Sequence, residues 1–283
     1  MASEQVLSAG VRSVTVRRRG KRLERDLVVV EEPLEIRLDG KPLVVTMRTP
    51  GYDEELAAGF LYAEGVITGR RDVATMRAVA GTAAVSETQI KVTNFAGDRV
   101  EVTTTSGLAT DASPTAERAF RATAACGVCG KESIDQLDRL ADALPAVVPV
   151  ECSSDLLETL PAQLRDAQEL FDATGGIHAA GVFSLDGALL CLREDIGRHN
   201  AVDKVIGHFV MQDAVPLRDR ILVVSGRAGF ELVQKALKAA IPAMVSVGAA
   251  SSIAVEMATA ARMTLYSFAG RGRGNLHVSH PRP

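Results

Sequence analysis

The alternation of segment types in the second half of the chain restricts the fold most. "RILVVSG", "AMVSV" and "TLYSFAG" are short apolar runs, and between them lie "FELVQKALKAA" and "SIAVEMATAA", which read as helices. Strands that alternate with helices predict a mostly parallel sheet in a layered α/β unit. Upstream, "IHAAGVFSLDGALLCLRE" predicts a hairpin around Asp186-Gly187, and "DLLETLPAQLRDAQELFDATGG" predicts one long helix ending at a glycine pair. A further helix is predicted from about Asn200 to Met211.

The first part of the chain has a different pattern. "VRSVTVRR", "LVVVEEPLEIRL", "PLVVTMRT", "QIKVTNF" and "RVEVTTT" have strand composition, with Asp39-Gly40 as a hairpin signal. One helix interrupts them, "DEELAAGFLYAEG", with acids at its start and Gly65 at its end. From about residue 106 to 133 regular patterning disappears. The expected organisation is a β-rich N-terminal domain over 1–110, a cysteine-bearing loop over 111–133 and an α/β domain over 134–283. The class is α/β, α+β overall.

Composition excludes several classes of function. With 47% hydrophobic residues among 283, the chain can build a substantial core. A formal net charge of −3 supplies no global field for nucleic acid or anionic lipid, so any anion site must be local. The absence of tryptophan and 4% aromatic residues argue against stacking platforms for single strands. The uncharged run from Ala239 to Val255 is shorter than the roughly 18–20 residues of a membrane span and contains Pro242. "MASEQVLSAGVRSVTV" alternates like a strand and does not resemble a signal peptide, which points to the cytoplasm. The basic "VRRRGKRLERD" reads as a solvated strand and turn.

Candidate ligand groups lie where strands turn into helices. "VVSGRAGFE" and "VSVGAASS" are small, polar turns of the kind that let backbone amides approach a phosphate. "SFAGRGRGNLH" then alternates Arg271 and Arg273 with glycines, and guanidinium forks on such a backbone suit a pyrophosphate. "REDIGRHNAVDK" concentrates Arg193, Glu194, Asp195, Arg198, His199, Asp203 and Lys204 in a ligand or catalytic cluster, while His178 opens an apolar strand and is ambiguous.

Cys126 and Cys129 in "ACGVCGKESI" form the chain's one close thiol pair. A structural zinc site needs two such pairs, and Cys152 and Cys191 stand alone. A zinc deaminase needs H-x-E before its P-C-x-x-C, but His178 comes after the pair and is followed by alanines. A thiolate that carries sulfur and a dithiol that exchanges electrons fit the spacing equally well, and Lys131 favours the thiolate in either case. The alternatives therefore stand together: a sulfur carrier, or a dithiol redox or metal-binding protein that binds a nucleotide.

The wider pattern resembles the formate dehydrogenase accessory sulfurtransferase family. "ACGVCGKESI" is similar to its cysteine signature, and "TPGYDEELAAGFLYAEGVI", "GGIHAAGVF", "EDIGRHNAVDK", "VVSGRAGFELVQKA" and "VGAASSIAVE" follow its order. The resemblance implies a persulfide on Cys126, with Cys129 as an assisting or alternative thiol. The sulfur would come from a cysteine desulfurase and pass to the molybdenum of bis(molybdopterin guanine dinucleotide) destined for the catalytic subunit of formate dehydrogenase. It implies that Phe268, Ala269, Gly270, Arg271, Gly272 and Arg273 bind that cofactor. It also implies a homodimer, no resident metal, and a second domain resembling the cytidine-deaminase fold without its zinc.

Overall fold

The computed structural model describes residues 9–17, 23–81, 97–106 and 146–277. Cys126, Cys129, the expected loop over 111–133 and the strand expected at "QIKVTNF" lie outside the described residues.

Strands β1 (Val11–Arg17) and β2 (Leu23–Val29) pair as an antiparallel ribbon. Strands β3 (Glu32–Leu38), β4 (Lys41–Arg48), β5 (Val73–Val79) and β6 (Asp98–Thr104) form a second sheet in the order β4-β3-β6-β5. Asp39 and Gly40 both have positive φ, 47° and 79°, the tight turn whose twist matches a hairpin, and β3 and β4 pair antiparallel on either side of it. Strand β5 has no counterpart among the sequence expectations. It lies at a sheet edge with most of its side chains exposed or half-buried, so its sequence lacks a clean apolar alternation.

The third sheet contains β7 (His178–Ser184), β8 (Leu189–Asp195), β9 (Arg220–Val224), β10 (Ala243–Ser246), β11 (Thr264–Ser267) and β12 (Asn275–Leu276), in the order β12-β11-β10-β9-β7-β8. Only β9, β10 and β11 run parallel to one another; β7 is antiparallel to both β8 and β9, and β12 to β11. The expectation of a mostly parallel sheet is corrected to a mixed one. A short connection around Gly187 can only return the chain beside itself in the opposite sense, whereas helical crossovers build the parallel core.

Helices α1 (Asp53–Ala63), α4 (Arg198–Met211), α5 (Phe230–Lys238) and α6 (Ser252–Ala260) contribute to one hydrophobic cluster, and α2 (Ser154–Asp166) covers the opposite face of the third sheet. Strand β9 makes both covers necessary, because Leu222 and Val224 enter the first cluster while Ile221 and Val223 enter the second. The single long helix expected from the "DLLETL" run divides into α2 and a short α3 (Glu169–Thr174). The buried Glu194 carboxylate accepts the amides of Leu170 and Phe171 at 2.8 and 2.9 Å, so the second helix starts on its own cap. Among the described residues no helix is long and apolar enough to cross a membrane.

The two halves meet where α1 crosses α4. A Cβ on Gly59 would fall on the Asp203 carbonyl oxygen, and one on Gly207 would fall on that of Glu55. Two glycines thus permit backbone-to-backbone contact between helices.

Candidate functional site

Strands β9, β10 and β11 end on one edge of the third sheet. Because β7 is antiparallel to β9, His178 at its start lies on the same edge. The "GRAG", "GAAS" and "AGRGRG" turns therefore lie along the same edge, with the "GRAG" turn against His178 and Arg198 at the start of α4. From β11 to β7 is three strand steps, roughly 14 Å.

Most of the charged "REDIGRHNAVDK" cluster is not at this edge as a ligand site. Lys204, 1% exposed, reaches Asp195 Oδ2 at 2.7 Å and donates to the Thr49 carbonyl at 2.8 Å. Asp195 also accepts from the Thr49 amide at 3.1 Å and from Asn200 Nδ2 at 3.0 Å, and Asn200 donates to the Met47 carbonyl at 2.7 Å. Arg193 grips Glu55 through two hydrogen bonds of 2.6 and 2.8 Å and stacks on Tyr52; Asp203 pairs with Lys235 at 2.7 Å. Nearby, buried Arg48 holds Asp53 and Asp98. These residues tie the first part of the chain to α4 and α5. The expected ligand cluster is corrected to a buried ionic joint, since each of these charges already has a protein partner.

Two members of the motif remain at the edge. His199 Nε2 meets the Glu231 carboxylate in the first turn of α5. Arg198 is half-buried with its chain over the Gly226 turn, where a Cβ on Gly226 would lie 3.7 Å from Arg198 Cδ and 3.6 Å from the His178 ring. His178 Nδ1 is 3.4 Å from Ser225 Oγ, which accepts the Ala179 amide at 2.9 Å. Burial, reinforced by Arg198 and His199 against the pull of Asp195, pushes the His178 imidazole below its ordinary range and keeps it neutral.

The glycine turns differ from their expected use. The Ala228 amide donates to Ala249 O and that of Gly248 to Gly226 O, each at 3.0 Å. Ser246 Oγ lies 2.9 Å from the carbonyl oxygens of both Gly226 and Gly248, the two acceptors open to its one proton. Much of the polar backbone in these turns is therefore used to lock the turns together. The arginine-glycine segment is likewise not a loose tail. It is the loop between β11 and β12, closed by the pairs Tyr266–Leu276 and Ser267–Asn275. Phe268 is half-buried and Ala269 buried, while Gly270, Arg271, Gly272 and Arg273 are exposed.

What remains for a ligand is side-chain charge. Arg198, Arg227, Arg271 and Arg273 all lie on this edge, and none has a carboxylate partner among the described residues. In a chain of net charge −3, four guanidinium groups gathered along one sheet edge raise the local positive charge there. Ser225 and Glu231 join the edge without a sequence signal, because only the sheet order brings them to His178 and His199.

The two described cysteines have packing roles. Cys191 is buried, and burial pushes its thiol up to about 12 despite nearby Arg193. Cys152 is half-buried and raised for the same reason. Both thiols stay protonated, and a protonated thiol is a poor nucleophile. Among the described residues, no group of three or more His, Cys, Asp or Glu side chains is placed to hold a metal ion.

The model of the FdhD/NarQ family matches residues 29–282. The sulfur carrier protein FdhD of Mycobacterium tuberculosis is 46% identical over 270 residues, covering 90% of this chain and 93% of its own. That of Corynebacterium efficiens is 47% identical over 258 residues, 88% and 87% of the two chains; that of Streptomyces coelicolor is 44% identical over 258, or 91% and 89%. A crystal structure described as a formate dehydrogenase accessory protein from Desulfotalea psychrophila aligns with a TM-score of 0.68 at 21% identity, covering 95% of this chain and 96% of its own, and that likeness establishes the shared fold.

Proposed function

Since the chain belongs to the FdhD/NarQ family, we propose that it is a sulfur carrier in the maturation of a formate dehydrogenase. The observation that carries this reading is a family match running from residue 29 to 282, through the "ACGVCGKESI" signature. The burial of Cys191 and the raised thiols of Cys152 and Cys191 favour the other two cysteines for the chemistry.

In this reading Cys126 thiolate attacks the outer sulfur of a persulfide on a cysteine desulfurase. One S–S bond forms, another breaks, and the donor thiolate leaves with no net redox change. Cys129 then attacks Cys126 Sγ, closing a disulfide and releasing the carried sulfur as sulfide. The dithiol thus supplies the two electrons that convert persulfide sulfur to sulfide. The acceptor is the molybdenum of bis(molybdopterin guanine dinucleotide), a substrate of this protein. Its nucleotide phosphates are taken by Arg271 and Arg273 on the Phe268–Arg273 loop, and the exposure of both side chains supports this assignment. The same reading includes a homodimer, a division of the chain at about 110 and 134, and kinship of the third sheet with the cytidine-deaminase fold without zinc.

Incubation with a desulfurase and cysteine, followed by intact mass, tests it. The chain should gain the mass of sulfur, and Cys126→Ala should not. Full loading of Cys126→Ala moves the carrier role to Cys129. Stoichiometric zinc or iron held by the two thiols in anaerobically purified protein overturns the carrier reading in favour of a metal-binding dithiol.

A further inference from the structure

Glu158 lies on α2, far in sequence from the arginine-glycine loop, yet the loop is wrapped around its carboxylate. Oε1 accepts the Arg271 amide at 2.7 Å and the Gly272 amide at 2.5 Å, and Oε2 accepts the Tyr266 hydroxyl at 2.9 Å. Gly270 and Gly272 have φ of 80° and 66°, and this bend turns successive N–H groups toward one point. Such a nest of amides is an anion trap, and here the trapped anion belongs to the chain. Desolvation pushes the Glu158 carboxyl up, but the Tyr266 hydroxyl and the amides of Gly272, Arg271 and Gly270 outweigh it and hold the group below the usual carboxylate range.

The surroundings fit a built cradle. A Cβ on Gly270 would approach Pro161, one turn along α2 from Glu158, to 3.2 Å, and one on Gly274 would run into the Tyr266 ring. Beyond the loop, Ser267 Oγ and His277 Nε2 are 2.6 Å apart. Glycines at 270, 272 and 274 make the segment costly to order by itself, since each lacks a Cβ to restrict its backbone. The amides of 271 and 272 face Glu158, so they are not donors for a phosphate. The guanidinium groups of Arg271 and Arg273 remain exposed.

We propose that Glu158 is a positioning residue for ligand binding: its carboxylate fixes the backbone of the loop so that Arg271 and Arg273 are arranged in advance for the phosphates of a nucleotide. This rests on the reading that these arginines take the phosphates. Ordering the loop before binding removes an entropic cost from the binding step.

Guanosine diphosphate is the probe, titrated by calorimetry into the full chain, with amide exchange followed over 268–276. Glu158→Ala should weaken binding about tenfold, equivalent to the cost of ordering roughly one backbone residue, and should speed exchange at Arg271 and Gly272. Glu158→Gln keeps an acceptor oxygen and should restore most of the affinity. Tyr266→Phe removes one donor and should give a smaller loss in the same direction. Unchanged or tighter binding by Glu158→Ala overturns the proposal, tighter binding making the carboxylate a competitor of the ligand. If Arg271→Ala with Arg273→Ala abolishes binding while Glu158→Ala leaves the affinity unchanged, only the positioning role fails. If the parent protein does not bind the probe, the nucleotide reading fails and the proposal falls with it.

Discussion

Two segments of this chain combine glycine with dense charge, and they use it in opposite ways. In "EDIGRHNAVDK" Asp195, Asp203 and Lys204 are buried, each against a partner of opposite charge. In "AGRGRGN" the backbone is tied down by Glu158 while Arg271 and Arg273 face solvent. Charge in the first segment assembles the protein; charge in the second is left for something else. The partner, rather than the density of charge, separates a joint from a site.

The joint should break first and hardest at its glycines. Gly207→Val sets a side chain against the Glu55 backbone, so α1 and α4 must separate. The expected outcome is no folded protein, read as loss of soluble, cooperatively melting material. Next comes Asp195→Ala, which strands Lys204 in a site only 1% exposed. Loss of one partner from a buried pair costs about 3–5 kcal/mol, measurable by urea denaturation. A drop of that size would confirm a structural role, and unchanged stability would return Asp195 to the list of ligand contacts.

Arg198 sharpens the comparison, because it is the one arginine of the motif that turns to the sheet edge without a carboxylate partner. Arg198→Ala should leave the melting temperature unchanged and weaken nucleotide binding about three- to tenfold, by calorimetry. The smallest effect is expected at His178. Its pKa is lower folded than unfolded, so its contribution to stability is present above the unfolded value, near 6.5, and is lost as pH falls below it. Melting temperatures at about pH 7.5 and about pH 5.5 should differ less in His178→Gln than in the parent protein.

Local patterns made much of the architecture legible. The crossover helices and parallel strands, the Asp39-Gly40 hairpin and the α1 boundaries follow from periodicity and turn residues, which act over a few positions. The contacts that define the edge act over long separations and were not legible. Nothing near Glu158 in sequence announces that its carboxylate caps amides of residues 271 and 272. Likewise "REDIGRHNAVDK" reads as a ligand cluster until Thr49, Glu55 and Lys235, all remote in sequence, are found beside it. The break between α2 and α3 has the same origin, since the cap that starts α3 comes from Glu194 on β8. The thiol pair was the clearest chemical signal in the sequence, and Cys126 and Cys129 lie outside the described residues.

The division between joint and site is tested most directly by titrating guanosine diphosphate into Arg271→Ala with Arg273→Ala while following the melting temperature of the same sample. Removing two exposed guanidinium groups should weaken binding at least about a hundredfold and leave the melting temperature where it was. Unchanged affinity, or a loss of affinity that only accompanies a loss of stability, would contradict the assignment of the loop as the anion site.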